Sequence, residues 1–338
     1  MKKNVVTIKD IAKRLGINPS TVSRALKGNP EISEKTVEAV REVAKEMNYK
    51  PNTIAQGLRF SKSNIIGVVI PEIVHFFFST IISGIEDVAQ QRGYNIIVTQ
   101  SNESLSKEIS NLQTLFDSRV DGILLDISKE TMSIEHIEQI KAKGIPVVLF
   151  DRPLKHLSYS TVMVDDFNGG YLATEHLIKN GYKRIAHLSG PPNLELSKNR
   201  LAGYKKALSD GGLEFDPRLI LDFSSKDEMV AYNAVKEALG KYNFDAIFAI
   251  NDMAAIGAVQ AVKSTGLEVP REFGVVGFSN WRFSKLTDPK ISTIEQPGFE
   301  IGQQATNLLI DEIESEEETA PKRVELKTSL IVRESSVR

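Results

Sequence analysis

Apolar residues along the chain change their period near residue 64. Before it, Ile8, Ile11, Ala12 and Leu15 recur at helical spacing, then Val22, Ala25 and Leu26, then Val37, Val40, Val43, Ala44 and Met47. The spacing predicts three short amphipathic helices. Thr7 suits the N-cap of the first, and Gly16 supplies a tight turn. Asn18 suits the cap of the second, with Pro19 at its first helical position, and the third runs over about 33–47. Beyond residue 64, short apolar runs at 65–70, 95–99, 122–126, 147–150, 161–164, 185–188, 246–250 and 275–278 alternate with amphipathic stretches. In one of these, 79–92, Ile81, Ile85, Val88 and Ala89 share a face. The alternation predicts parallel sheets flanked by helices. Two successive sets of runs imply two lobes. "TIEQPGFEIGQQATNLLIDEI" then returns a strand and a helix late in the chain, so the backbone should cross between lobes more than once. The acidic run "EIESEEET" reads as a solvated helix end and loop.

Helix, glycine turn, helix and supporting helix is the helix-turn-helix plan, whose second helix lies in the major groove of DNA. The stretch "INPSTVSRALKGNP" fits that role because only Val22, Ala25 and Leu26 pack inward. Ser20, Thr21, Ser23 and Arg24 form an outer face of hydroxyls and a guanidinium, able to meet phosphates and base edges. Charge agrees. Residues 1–62 carry 13 Lys and Arg against 6 Asp and Glu, whereas the rest carry 29 against 38, so a small basic part precedes a larger acidic one. A solvated face on a small three-helix bundle is the bland alternative. The next segment, "YKPNTIAQGLRFSKSN", holds Ile54, Ala55 and Leu58 among basic residues. It is too short to be a stable helix alone, so it should order against a partner. Leu58 is then a candidate wedge between base steps in the minor groove.

The segments "DIAKRLGI", "STVSRAL", "NYKPN" and the following A-x-x-L make the chain similar to the LacI/GalR family of bacterial transcription regulators, and the resemblance extends over essentially all 338 residues. It implies a headpiece at 1–50, a hinge helix and linker at 51–63, and an effector-binding and dimerisation domain at 64–338. That domain is expected to be an α/β periplasmic-binding-protein-like core of two lobes, the first about 64–160 and 293–325, the second about 161–290. The resemblance places base-reading positions on Pro19, Ser20 and Arg24, and a paired-hinge leucine on Leu58. The proline is a departure that leaves the operator sequence open. The DNA-facing set expected is Thr7, Asn18, Pro19, Ser20, Thr21, Ser23, Arg24, Asn29, Tyr49, Asn52 and Leu58. Partners so implied are a pseudo-palindromic double-stranded operator, a small-molecule effector and a second copy of the chain. No apolar heptad tail follows Arg333, which favours a dimer over a tetramer.

Ligands of open α/β sheets bind outside the carboxyl ends of the strands. Those ends carry Asp151 and Arg152, Asn251 and Asp252, and Ser279, Asn280 and Trp281, with "VHFFFS" near the first strand and Arg200 starting a helix. Carboxylates, guanidinium groups and rings suit a polyhydroxylated ligand. The candidate effector set is His75, Phe77, Phe78, Asp151, Arg152, Arg200, Phe223, Asp252, Asn280 and Trp281, of which Asp151, Arg152, Arg200, Phe223 and Asn280 sit at the effector positions the resemblance implies. Asp252 reads equally as a helix cap, Phe77 and Phe78 as core, and Arg200 as an interlobe ion-pair partner. Leu194 and Leu196 stand where purine-responsive members are polar, and Ser279 where an acidic residue is frequent. These departures point away from a purine and toward a sugar or sugar derivative, a charged one pairing with Arg152 or Arg200 included.

Catalytic signals are missing. There is no G-x-S-x-G elbow, G-x-x-x-x-G-K-[ST] loop or H-E-x-x-H helix, and "LSGPPNLE" lacks dinucleotide-turn spacing. Five His and no Cys leave no thiol nucleophile and no ligand-spaced partner for His75, so neither an enzyme, a metal nor a cofactor is expected. The opening residues lack a signal-peptide core, and no run of about 18 apolar residues occurs, which predicts a cytoplasmic, nucleoid-associated protein without membrane contact. A solute-binding protein, or a sugar-converting enzyme carrying a DNA headpiece, are the alternatives.

Overall fold

The computed structural model of the chain describes residues 6–49, 62–74, 76–152, 159–223, 227–317 and 319–338. They fall in two compact units, Met1–Ser63 and Asn64–Arg338.

In the first unit, α1 (Ile8–Leu15), α2 (Pro19–Leu26) and α3 (Glu34–Glu46) enclose a small core of Ile11, Ala12, Val22, Ala25, Val40 and Ala44. Each start is capped by its own sequence. The Thr7 N–H and hydroxyl donate to the Asp10 carboxylate at 2.8 and 2.7 Å, and Asn18 accepts from the Ser20 N–H at 2.9 Å. The Ser33 hydroxyl accepts from the Thr36 N–H. Gly16, at φ 65, ends α1 in the left-handed region that a side chain would disfavour.

The second unit has two sheets of six strands. The first lobe contains β1 (Ile65–Ile70), α4 (Phe76–Gln91), β2 (Asn95–Gln100), α5 (Leu105–Asp117), β3 (Gly122–Leu125), α6 (Glu135–Ala142), β4 (Val147–Phe150) and β5 (Thr161–Val164). The chain crosses into α7 (Asp166–Lys179), β6 (Ile185–Ser189), α8 (Glu195–Asp210), β7 (Ile220–Asp222), α9 (Glu228–Leu239), β8 (Ala246–Ala249), α10 (Asp252–Ser264), β9 (Gly274–Phe278) and β10 (Ser292–Glu295). It returns for α11 (Gly298–Glu314) and β11 (Arg323–Leu326), then crosses again to β12 (Ser329–Ile331). Strand order is β11-β5-β4-β3-β1-β2 in the first sheet and β12-β10-β9-β8-β6-β7 in the second. Every pairing is parallel except that of β12 with β10. The molecule is thus a two-lobed α/β protein of periplasmic-binding-protein-like fold with an all-α helix-turn-helix unit ahead of it.

The crossings differ from the expected lobe boundaries. The resemblance puts residues 161–164 in the second lobe, yet β5 pairs with β4, Leu149 opposite Thr161, and with β11. It puts residues 293–295 in the first, yet β10 pairs with β9, Thr293 opposite Gly277. A buried apolar strand of four residues carries no mark of which sheet accepts it, because either sheet satisfies the same backbone groups.

Each lobe is tightened by a pair of helices that meet at glycines. In the first, a Cβ on Gly84 would fall 2.0 Å from the Phe299 carbonyl oxygen, and one on Gly302 would fall 2.1 Å from that of Ile81. In the second, Gly170 and Gly203 let α7 and α8 approach in the same way, at 2.3 Å from the Arg200 carbonyl oxygen and 2.0 Å from that of Phe167.

Candidate functional site

On the first unit, Pro19, Ser20 and Arg24 are exposed, and Thr21 and Ser23 are half-buried on the face of α2 away from its core contacts. Arg24 makes only a loose ion pair with Glu31, 3.7 Å apart, with side chains 59% and 74% exposed. Such a pair holds its guanidinium weakly and leaves it able to reach outward. Asn29 accepts from the Glu31 N–H at 2.9 Å and shapes the turn after α2, while Thr7 and Asn18 are engaged in the caps. Tyr49 packs half-buried against the small core. Asn52 and Leu58 lie outside the described residues.

In the second unit, the carboxyl ends of the strands of both sheets face one cleft. The backbone there is held in the left-handed region at residues other than glycine: Asn102 (φ 52) and Glu103 (φ 59) after β2, Asp151 (φ 57) after β4, and Ser279 (φ 94) and Asn280 (φ 47) after β9. Each such residue costs about 1–3 kcal/mol, and residues of this kind gather at ligand clamps. The cleft encloses a cavity of about 140 Å³. Phe77, Phe78, Glu103, Lys129, Asp151 and Arg152 line it from the first lobe. Leu194, Leu196, Ser197, Arg200, Phe223, Asn251, Ser279 and Trp281 line it from the second, with Gln296 at the crossover.

Two guanidinium groups stand in its wall, one from each lobe. Arg152 donates to both oxygens of Glu103 at 2.8 Å and to the Ile127 carbonyl at 2.9 Å. Asp126, wholly buried, lies 3.8 Å away. Burial works against the charge on Arg152, but Asp126 and Glu103 outweigh it and hold its pKa above the ordinary value. Burial likewise pushes the Asp126 carboxyl well above the usual carboxylate range. Arg200, 4% exposed, donates to Asp166 at 2.7 Å and to the Ile250 carbonyl at 2.7 Å, and stacks 3.6 Å from the Phe278 ring. Burial raises Asp166 to about 6 against the pull of Arg200. Contacts join the lobes across the cleft: the Asn193 amide donates to the Lys129 carbonyl at 2.7 Å and lies 3.7 Å from the Met132 sulfur, and the Gln296 amide approaches Asp151 at 3.5 Å.

The structure brings Phe77, Phe78, Asp151, Arg152, Arg200, Phe223 and Trp281 of the candidate set to one cavity. Two others do not line it. Asp252 is fully buried beneath the wall, where it accepts from the Trp281 N–H and the Thr293 hydroxyl, each at 2.6 Å. The cap of α10 is its neighbour Asn251, which accepts from the Ala254 N–H. Asn280 turns away from the cleft, donating to Glu295 at 3.0 Å and accepting from Arg333. Both follow a strand end without facing the cavity, Asp252 as the first residue of α10 and Asn280 in a left-handed turn after β9, and the strand-end rule does not say which residues of such a turn face inward. His75 lies outside the described residues. Glu103, Lys129, Ser197 and Gln296 escaped the sequence reading. Glu103 follows a strand end that the same rule would have reached.

An interlobe cleft lined by aromatic rings and buried polar side chains, in a chain that also carries a helix-turn-helix unit, is the organisation of a DNA-binding regulator. The comparisons agree. Residues 7–52 match the model of bacterial regulatory proteins of the lacI family, and residues 63–334 match that of periplasmic binding proteins and the sugar binding domain of the LacI family. The chain belongs to the LacI family of transcriptional regulators. It is 32% identical to catabolite control protein A of Priestia megaterium, covering 96% of this chain and 99% of that protein. Among solved structures it is similar to the lac repressor dimer bound to operator and the anti-inducer ONPF, at TM-score 0.88 and 25% identity, covering 98% of this chain and 99% of that one. It is also similar to the transcriptional regulator CelR in its cellobiose complex, at TM-score 0.75 and 29% identity, with coverage of 98% and 99%. No helix among the described residues is long and apolar enough to cross a membrane.

Proposed function

We propose that this chain is a transcriptional repressor whose affinity for operator DNA is set by a small sugar bound between its two lobes, and that it performs no catalysis. The observation that carries the reading is the meeting of Arg152 and Arg200, buried and each anchored on a carboxylate, with Phe77, Phe78, Phe223 and Trp281 at one cavity. Fixed guanidinium groups offer donors to hydroxyls without having to be ordered on binding, and rings cover the apolar face of a sugar. Because Glu103 and Asp166 already neutralise these cations, the geometry supports an uncharged sugar over the charged one that the sequence left open. The complex of CelR with cellobiose supports the same class.

The first unit supplies the DNA contacts: Ser20, Thr21, Ser23 and Arg24 in the major groove, Pro19 at the groove edge, with Thr7, Asn18, Asn29 and Tyr49 shaping the frame or reaching phosphate. Asn52 and Leu58 act from the hinge, Leu58 as the minor-groove wedge. Two copies acting as a homodimer place two such helices on a pseudo-palindromic operator, in the cytoplasm. Closure of the lobes on the sugar changes the approach of the two hinges, and so the affinity for DNA.

A thermal-shift screen against neutral sugars, sugar acids, sugar phosphates and nucleobases, followed by operator titration with and without the hit, tests the reading. A ligand that raises the melting temperature by mass action and changes operator affinity, while being recovered unchanged, is the expected outcome. Turnover of the ligand, or operator binding indifferent to every ligand, would reject it.

A further inference from the structure

Several polar side chains of the cavity wall are committed to partners within the protein. Arg152 is held by Glu103, and Arg200 by Asp166. The Ser279 hydroxyl donates to Gln296 at 2.6 Å, whose amide reaches Asp151, and Asn251 caps α10. Ser197 differs. It stands on the first turn of α8, one turn before Arg200, and is 2% exposed, yet its hydroxyl has no hydrogen-bond partner among the described residues. A buried hydroxyl without a partner is disfavoured, and its cost is recovered when a ligand supplies one.

A second feature singles out the same atom. Gly190, also in the wall, is not among the glycines held in the left-handed region, so its φ does not call for glycine. A Cβ there would fall 2.8 Å from the Ser197 Oγ. The missing side chain makes room for that hydroxyl and nothing else as closely.

We infer that Ser197 is a specificity-determining residue that reads one hydroxyl of the bound ligand, and that Gly190 is the positioning residue that keeps the Ser197 hydroxyl facing it. A hydroxyl can both donate to and accept from an alcohol, so it fits a polyol and discriminates against an analogue lacking that one oxygen. This rests on the reading of the cleft as an effector site.

The test uses the full chain titrated with D-glucose, D-ribose and cellobiose, followed by melting temperature and by the emission of Trp281, the single tryptophan, which lines the cavity. The sugar that binds is then replaced by its single-deoxy analogues, one carbon at a time. Ser197→Ala is expected to bind the parent sugar about three- to tenfold more weakly. One deoxy analogue should lose the same factor on the unaltered chain and lose nothing further on Ser197→Ala. Gly190→Ala, which displaces only the end of a short side chain, should show the same pattern with the fold intact. A Ser197→Ala chain that binds the parent as tightly as before, or that keeps the full loss for every analogue, overturns the inference. So does a failure of all three sugars to bind. In that last case the effector reading survives if a metabolite of another class alters operator affinity, and falls if none does.

Discussion

Asp252 lies beneath the wall of the cleft and bonds to it from behind. Its carboxylate fixes the backbone of Trp281 from below, in surroundings with no exposure to water. Burial, opposed by its bonds to Thr293 and Trp281, raises its pKa from 3.8 to about 7. Between those values the native chain holds a proton that the unfolded chain has released, so the contribution of this group to stability falls as pH rises across that window. Asp166, raised to about 6, acts in the same direction. Asp252→Asn keeps an oxygen for the Trp281 N–H and removes the titration. Melting temperatures taken from pH 4 to pH 7 should therefore decline less steeply for the variant than for the unaltered chain, Asp166 and the other buried carboxyls with raised pKa, Asp126 and Asp151, keeping part of the slope. Parallel profiles would show that the proton is not bound at Asp252. At the other functional surface, Arg24→Ala should cost about 1–3 kcal/mol of operator affinity and relax preference at one base pair. Selection of operators by the variant that returned an unchanged motif would remove Arg24 from base reading. At this scale the sequence points to strand ends that line the cavity but not to which of their side chains face it. Asp252 and Trp281 are both legible as strand-end residues, and only their geometry assigns one to the support and the other to the wall.

Among elements, the close crossing of α7 and α8 matters most to the cleft, since α8 carries both Ser197 and Arg200. A Cβ on Gly203 would meet the Phe167 carbonyl at 2.0 Å and the Tyr171 nitrogen at 2.7 Å, backbone atoms that cannot turn aside. Gly203→Ala must therefore push the helices apart, at a cost of about 1–3 kcal/mol in a packed interior, read as a lower midpoint of urea unfolding. Because α8 moves with its two polar side chains, binding of the effector should weaken as well. A variant with unchanged midpoint and unchanged affinity would mean that the crossing is looser than it stands here. Periodicity revealed the long amphipathic helices and the buried runs of the parallel strands, because each is several residues of one pattern. It gave no sign of β7, β11 or β12. These are edge strands of three or four residues with few buried positions, and their hydrogen bonding is decided by neighbours distant in sequence. The same lack of a local mark leaves the lobes of β5 and β10 illegible in the sequence.

In the whole molecule, the lobes are joined by three crossings, after β5, after β10 and between β11 and β12. Three strands of backbone running side by side permit a bend and resist separation, so closure of the cleft is the motion this topology leaves open. The Asn193 amide on the Lys129 carbonyl spans that opening from one lobe to the other. It should favour the closed form, and Asn193→Ala should weaken effector binding while leaving operator affinity in the absence of effector nearly as it was. If closure is what links the two ligands, their effects must be mutual: the factor by which saturating effector changes the dissociation constant for operator equals the factor by which saturating operator changes that for effector. Operator titrations read by anisotropy and effector titrations read by Trp281 emission give the two factors independently. Equal factors that shrink together in Asn193→Ala would identify closure as the carrier of the coupling. Equal factors untouched by Asn193→Ala would place the coupling elsewhere in the second unit, and unequal factors would mean that a third species, such as a free monomer, enters the equilibrium.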